Sequence, residues 1–195
     1  MAEPASIVRA RRFTGVDAYA GEVSVAEDPR PLVGEPLPLD LLNTTWMTGA
    51  GLRDLLADTA GTRAWLDHHG FTDAPAEAGP LRETREALRS LLLDRDAVAG
   101  VNAVLARGGE RPVLRAGHTV AREVDAEPEW QVPWTCAAAL VALLESQGGR
   151  VRPCANPDCV LWFVDTSRPG TRRWCSMAAC GNRDKAVRHG RMRHR

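Results

Sequence analysis

Hydrophobic positions recur at helical spacing through the first third of the chain. The spacing between residues 37 and 47 predicts one helix, and a second is expected over residues 52–56. The apolar positions of the first helix are Leu37, Leu41, Leu42, Trp46 and Met47. A third helix contains Trp65 and Leu66 and ends at His68, His69 and Gly70, because basic residues followed by glycine are favoured at a helix end.

The same pattern predicts three more helices and a hairpin in the middle of the chain. Pro80 suits the first turn of a long helix with an apolar stripe. Further helices are predicted over residues 98–105 and 134–146. Between them, residues 111–115 and 120–124 are typical of two short strands. This body is therefore predicted to be mostly helical.

The first 36 residues are predicted to form a peripheral arm. Residues 6–12 and 22–26 are strand-like, and the stretch that follows is rich in proline and glycine, which is typical of turns. We therefore divide the chain into an arm (residues 1–36), a body (residues 37–149) and a C-terminal module (residues 150–195).

Composition and charge set the C-terminal module apart from the rest. With 44% hydrophobic residues, the 195-residue chain has an ordinary globular composition, which excludes fibrous and wholly disordered classes. Residues 151–195 contain ten basic and three acidic side chains, a net charge of +7, so the first 150 residues carry −7. Such asymmetry indicates a polyanion-binding segment attached to an acidic body.

No segment predicts a membrane span or a secretory signal. The longest apolar run, residues 137–144, is much shorter than the roughly 20 residues that cross a bilayer. The polar, arginine-containing N-terminus lacks the apolar middle of a signal peptide. We therefore expect a cytoplasmic protein that does not bind membranes.

Four cysteines of the C-terminal module have the spacing of a metal site. They form two pairs, each with four residues between its members: Cys154, Cys159, Cys175 and Cys180. Disulfides are disfavoured in the cytosol, so clustered pairs indicate metal ligands. Four thiolates complete the tetrahedral shell of zinc and leave no position for an activated water, so we expect one structural Zn²⁺. Core or redox cysteines without a metal are the alternative.

The elements around these cysteines predict a small zinc finger. Residues 160–165 are strand-like, and residues 171–174 can return as the second strand of a hairpin. Ser176 can cap a helix that starts at Met177 and has Cys180 in its first turn. The predicted fold class is α+β: a mostly helical N-terminal body with a short β-hairpin, plus a treble-clef-like or ribbon-like finger.

Basic side chains in and after the finger suit a phosphate surface. Asn182 and Arg183 also have side chains that read base edges, and we expect Arg183 to contribute most to DNA affinity. The nucleic-acid-binding candidates are Arg168, Arg172, Arg173, Asn182, Arg183, Lys185, Arg188 and Arg191. A solvated basic tail is the alternative. Trp162 and Trp174 either pack the core of the finger or stack on a base; core packing is favoured for Trp174, and both alternatives stay open for Trp162.

A few residues of the body are candidate ligand contacts. Asp40, Asn43 and Trp46 lie in an apolar helical stretch, where an unpaired polar group is costly. They line a ligand pocket or bond to neighbouring backbone, and the structural role is the favoured one. Cys136 lies in an alanine-rich helix, where we expect a small core side chain rather than a redox sensor.

Two parts of the chain resemble known families. Residues 175–186, with the sequence CSMAACGNRDKA, and the preceding residues 163–167 and 172–174 resemble the bacterial CGNR zinc finger. Upstream, the sequence LDLLNT at residues 39–44, the sequence DLL at residues 54–56 and the pair Trp65-Leu66 resemble the ABATE domain that accompanies this finger. The resemblance implies a stress-linked transcription regulator with an N-terminal sensor-like domain and a C-terminal zinc finger that binds DNA. It also implies that the four cysteines are the zinc ligands, and Asn182 and Arg183 match the family's signature.

We therefore predict a DNA-binding transcription regulator. Its zinc finger docks a basic helix on DNA, while the N-terminal domain senses a small-molecule effector or forms a homodimer. The alternative is a zinc-stabilised module that binds a protein or RNA without sequence-specific DNA binding. An enzyme is not expected, because the sequence offers no nucleophile with a base, no phosphate-cradling loop and no open metal site.

Overall fold

Residues 28–182 are described by the computed structural model, and they divide into two units. Residues 55–139 form the first unit, and residues 28–54 together with 140–182 form the second. Helices and two-stranded antiparallel sheets occur in the described part of the chain, and the fold class is α+β, as predicted. None of the helices in residues 28–182 combines the length and the hydropathy needed to cross a membrane.

The first unit consists of helices packed on buried leucine and tryptophan side chains. Its helices are α2 (Thr59–His68), α3 (Ala78–Leu93), α4 (Ala99–Leu105) and the first part of α5 (Pro128–Gln147). The buried side chains include Leu56, Trp65, Leu66, Leu81, Leu88, Val101, Val104 and Cys136. In α3 the buried residues Leu81, Thr84 and Leu88 lie three and four residues apart, so the stripe predicted from the sequence is the buried face of this helix. The predicted helices of this region are confirmed.

Helix α2 has the predicted C-terminal end. At its start, the Asp58 carboxylate accepts a hydrogen bond of 2.8 Å from the Gly61 N–H. Just beyond its end, Gly70 adopts a left-handed φ of +76°, and the Phe71 N–H donates to the Leu66 carbonyl at 2.8 Å. This geometry satisfies a carbonyl at the end of the helix and favours glycine, which has no Cβ to clash.

A long hairpin follows α4 in the first unit. Strand β3 (Gly108–Arg115) pairs antiparallel with β4 (Thr119–Ala126), so both predicted strands are present and longer than expected. The base of the hairpin is tightly packed: a Cβ on Gly108 would lie 2.7 Å from the Cβ of Ala126 on β4 and 3.2 Å from the Trp134 ring on α5. The Trp134 indole N–H then donates to the Leu105 carbonyl at 3.0 Å, which fixes the hairpin's base between these helices.

The first elements of the second unit correct two predicted helices. Helix α1 (Leu37–Leu42) ends early, and β1 (Thr45–Thr48) and β2 (Gly51–Asp54) form a hairpin where the sequence predicted helix over residues 37–47 and 52–56. The Thr44 hydroxyl bonds back to the Leu41 carbonyl at 2.7 Å, which competes with further helical bonds. Trp46 and Met47 therefore lie on a strand, which β-branched threonines on either side favour.

The rest of the second unit contains the end of α5, β5 (Val151–Pro153), β6 (Trp162–Val164) and a helical turn, Met177–Gly181. Helix α5 starts at Pro128, earlier than the predicted residue 134, because this proline takes the N-terminal position expected of Pro133. Strand β6 pairs with β5, so the predicted pairing with residues 171–174 is wrong. The predicted strands over residues 6–12 and 22–26 lie outside the described residues, and the three-part division of the chain stays a prediction.

Two helical glycines test how tightly the first unit is packed. A Cβ at Gly61 would lie 1.9 Å from the Leu55 carbonyl oxygen, whereas one at Gly79 would meet nothing within 4 Å. We expect Gly61→Ala to lower the free energy of unfolding by about 1–3 kcal/mol, because the backbone must shift. Gly79→Ala should raise it by about 0.4–1 kcal/mol. Urea unfolding measures both, and equal effects of the two substitutions would contradict this packing.

Candidate metal centre and nucleic-acid surface

Four cysteine sulfurs converge in the second unit. The Sγ atoms of Cys154, Cys159, Cys175 and Cys180 all lie within 4.8 Å of one another. The Cys175 Sγ is 3.8 Å from that of Cys159 and 3.6 Å from that of Cys180. Thiolates about 2.3 Å from one Zn²⁺ are about 3.8 Å apart at the corners of a tetrahedron, whereas disulfide-bonded sulfurs are about 2.05 Å apart. The cluster therefore fits one structural zinc ion.

Local hydrogen bonds place these ligands on a knuckle and a helical turn. Cys154 directly follows β5, and its N–H donates to the Leu161 carbonyl at 2.9 Å, which closes the knuckle. The Ser176 hydroxyl accepts the Ala179 N–H at 3.4 Å and so caps the turn Met177–Gly181, which contains Cys180. The predicted cap and the position of Cys180 in the first helical turn are confirmed.

Three of the crowded sulfurs alter one another's pKa. A hydrogen bond between Cys154 and Cys159 lowers the pKa of Cys154 to about 2 and raises the pKa of Cys159 to about 12. The pKa of Cys175 is also raised, first because its thiol bonds to Cys154. The protonation of these three sulfurs is therefore interdependent, and a bound cation favours the thiolate form of each. This donor set suits zinc.

Asp165 organises the loop between the two cysteine pairs, a role that the sequence analysis missed. Its buried carboxylate accepts hydrogen bonds from the Ser167 N–H at 3.0 Å, the Ser167 hydroxyl at 2.5 Å and the Arg172 N–H at 2.9 Å. The hydroxyl bond holds the pKa of Asp165 below its ordinary value. Because the loop wraps around this carboxylate, residues 171–174 do not form the predicted return strand.

The Arg172 side chain lies within the fold of the finger. Its guanidinium donates to the carbonyls of Trp174, at 2.9 Å, and of Cys175, and it lies 4.3 Å above the centre of the Phe163 ring. The Glu35 carboxylate is 3.9 Å from the same guanidinium. Contact between Arg172 and nucleic acid stays a prediction, and the described bonds tie the zinc-bearing loop to β6.

Two side chains from far upstream complete the open edge of β6. The Asn43 Nδ2 donates to the Trp162 carbonyl and its Oδ1 accepts the Trp162 N–H, both at 2.9 Å. The Glu35 carboxylate accepts the Val164 N–H at 2.9 Å, and burial raises the pKa of Glu35. These backbone groups face away from β5 and would otherwise leave an unpaired strand edge. Residues 35 and 43 therefore substitute for a neighbouring strand.

The candidate ligand contacts Asp40, Asn43 and Trp46 are all buried in the second unit. Asp40 forms a salt bridge of 2.5 Å with the buried guanidinium of Arg30, which also pairs with Asp28 at 2.7 Å. The polar groups of Asp40 and Asn43 thus bond to the protein itself, and their ligand-binding role stays a prediction. Sequence reasoning missed Arg30 because a proline-rich stretch gives no sign that a charged side chain is buried.

The predicted nucleic-acid contacts lie partly within the described residues. Arg168, Arg173 and Asn182 are exposed, and the Arg173 guanidinium lies 5.1 Å from the centre of the Trp174 ring. Arg173 and Trp174 border a shallow depression, together with Thr171, Arg172 and Met177. Trp162 is buried, so it packs the finger's core. The candidates Arg183, Lys185, Arg188 and Arg191 lie outside the described residues.

Removing the Asn43 amide tests the completed strand edge. We expect Asn43→Leu to destabilise the full chain, because each orphaned backbone group of Trp162 costs about 1–3 kcal/mol when buried. Asn102→Leu is the matched control, since Asn102 is exposed on α4. Chemical unfolding of the zinc-loaded protein measures both, and a similar small loss in the two variants would contradict the role of Asn43.

Metal analysis tests the cysteine cluster. We expect one zinc ion per full-length chain, and Cys175→Ser should lose it because three thiolates remain. Cys136→Ala should keep it, since Cys136 belongs to the first unit and not to the cluster. Acidification should release the ion, because protons compete with zinc for the thiolates. Full zinc occupancy in the Cys175→Ser variant would contradict the assignment.

Comparison with protein families agrees with this architecture. The model of the CGNR zinc finger family matches residues 150–194, which include the four cysteines. The model of the ABATE family, described as "Putative stress-induced transcription regulator", matches residues 35–147, more than half of the chain. A search of curated proteins finds no match. The chain therefore belongs to the ABATE family and has a C-terminal CGNR zinc finger.

Proposed function

We propose that this chain is a transcription regulator whose zinc finger binds DNA. The observation that supports this most directly is the pair of exposed basic side chains, Arg168 and Arg173, on the loop that joins the two cysteine pairs. The ends of that loop are fixed by the zinc ligands and its middle by Asp165. Basic groups on an ordered surface can contact successive phosphates without the entropy loss of ordering a loose segment.

Charge supports a polyanionic partner even when the metal centre is counted. Residues 151–195 carry a formal +7, and four thiolates with one Zn²⁺ contribute a formal −2, which leaves about +5. Six of the ten basic groups in that count follow residue 182 in the sequence. A charge of this sign attracts nucleic acid and gives binding that weakens as salt rises.

The described contacts divide the finger's arginines into two roles. Arg172 bonds to Trp174 and Cys175 and so stabilises the finger. Arg168 and Arg173 point to solvent and are the proposed phosphate contacts. Asn182 and Arg183 follow the capped turn directly in sequence, where their side chains are suited to base edges.

The N-terminal part of the chain is proposed to regulate this binding rather than to catalyse a reaction. The four thiolates form a closed ligand set, which suits a structural and not a catalytic zinc ion.

Leu114 and Val120 pair across β3 and β4 and are 69% and 51% exposed, which supports a homodimer contact on this hairpin. Reduced thiol ligands also suit the cytoplasm.

Substitution of the two exposed arginines tests the proposal. We expect Arg168→Ala and Arg173→Ala each to weaken binding to duplex DNA and to reduce the slope of log K against log salt by about 1. Arg95→Ala is the matched control, because Arg95 is exposed in the first unit and should leave the slope unchanged. Fluorescence anisotropy across a salt series measures all three.

The outcome separates DNA binding from the alternative partner. Met177 is 54% exposed beside Trp174, which favours a protein or RNA partner as the second candidate. An unchanged salt slope in both arginine variants, with zinc retained, would contradict DNA binding through this loop. Retention of a bound protein in the presence of excess duplex DNA would then support the second candidate.

A further inference from the structure

The four zinc ligands differ in their access to solvent. The residues Cys154, Cys175 and Cys180 are only 7%, 2% and 4% exposed, whereas Cys159 has intermediate exposure. Cys159 lies at the end of the knuckle, directly after the exposed residues Pro157 and Asp158. Cys159 is therefore the ligand residue with the greatest access to a reagent that approaches from solvent.

The sulfur of Cys159 also has a partner within reach. Its Sγ lies 3.8 Å from that of Cys175, too far for a bond but close enough that a small movement of the knuckle joins them. The knuckle is a short loop with an exposed surface, whereas Cys175 is buried. Metal binding keeps both sulfurs as thiolates, the form that reacts with oxidants and electrophiles.

We propose that Cys159 is a modification site, the position at which small two-electron oxidants of the peroxide class attack the metal centre. The Cys159 thiolate attacks one peroxide oxygen, the O–O bond breaks, and a sulfenic acid and hydroxide form. A neighbouring ligand thiolate then attacks the sulfur of the Cys159 sulfenic acid. Cys175 is the candidate for this step, because its Sγ lies 3.8 Å from that of Cys159. The S–S bond forms, the S–O bond breaks, and a second hydroxide leaves.

This reaction removes two of the four metal ligands. Two thiolates lose two electrons in total, and the peroxide is reduced to two hydroxide ions. The zinc ion would then keep only two protein ligands, which is too few for a structural site, so the ion leaves. Because the zinc ligands fix both ends of the loop with Arg168 and Arg173, oxidation would disorder that loop.

Cys136 is the internal control for this selectivity. It is 0% exposed in the first unit and is not part of the sulfur cluster. The distinction is one of access, because a buried thiol in apolar surroundings is inert while an exposed thiolate is reactive. Cys136 should therefore stay unmodified for as long as the chain is folded.

Time-resolved labelling of the zinc-loaded full chain tests the site. The protein is treated with N-ethylmaleimide, quenched at intervals, and digested for peptide mass spectrometry. We expect Cys159 to be labelled at least about tenfold faster than the three buried ligands, since reactivity follows exposure of the thiolate. Equal labelling of all four ligands, or faster labelling of a buried one, would overturn the proposal.

Peroxide-driven zinc release provides the second readout. Release is followed with a zinc-binding dye, and the first disulfide is mapped by mass spectrometry. A first disulfide that contains Cys159 supports the proposal, and one that lacks Cys159 overturns it. Cys159→His keeps a four-ligand set of the Cys₃His type, and its zinc should leave at least about tenfold more slowly, because the oxidisable entry point is gone.

Both readouts are independent of the proposed function. Neither involves DNA, so failure of DNA binding leaves the test of Cys159 unaffected. The labelling experiment uses the unsubstituted chain, so it tests the reactivity of Cys159 even if the Cys159→His variant does not fold.

Discussion

Four sulfur atoms within 4.8 Å of one another are the constraint on which the finger depends. They cannot all ionise beside one another, and as thiols they offer little apolar surface to hold a small module together. A zinc ion removes both problems, because it stabilises four thiolates and connects the knuckle to the helical turn Met177–Gly181. The loop between the ligand pairs is then fixed at both ends, and Asp165 orders its middle.

The finger is also completed by residues from far upstream in the sequence. Asn43 and Glu35 bond to the outer backbone groups of β6, and Glu35 lies near Arg172. The zinc-bearing segment and residues 28–54 consequently belong to one structural unit, although the first unit, residues 55–139, lies between them in the chain. A ligand that altered the region around Asn43 would therefore act directly on a strand of the finger, a physical route for regulation.

Predictions from the sequence were most accurate where ligand chemistry or hydrophobic periodicity is compatible with few structures. The zinc ligands follow from paired cysteines, and α3 follows from its apolar stripe and Pro80. The prediction failed at residues 45–54, because the spacing of a short apolar run fits a helix and a strand equally well. The hydrogen bond from the Thr44 hydroxyl to the Leu41 carbonyl favours the end of the helix there. Arg30 and Glu35 could not be found, because their partners are set by tertiary contacts.

Zinc-dependent DNA binding is the most direct test of this account. Zinc-loaded and chelator-treated full-length protein would be titrated, across a salt series, with duplex DNA from its own upstream region and with an unrelated duplex of equal length. The account predicts salt-sensitive binding that favours the native duplex and disappears when zinc is removed. Binding that is equally strong without zinc, or no binding to either duplex by the zinc-loaded protein, would contradict it.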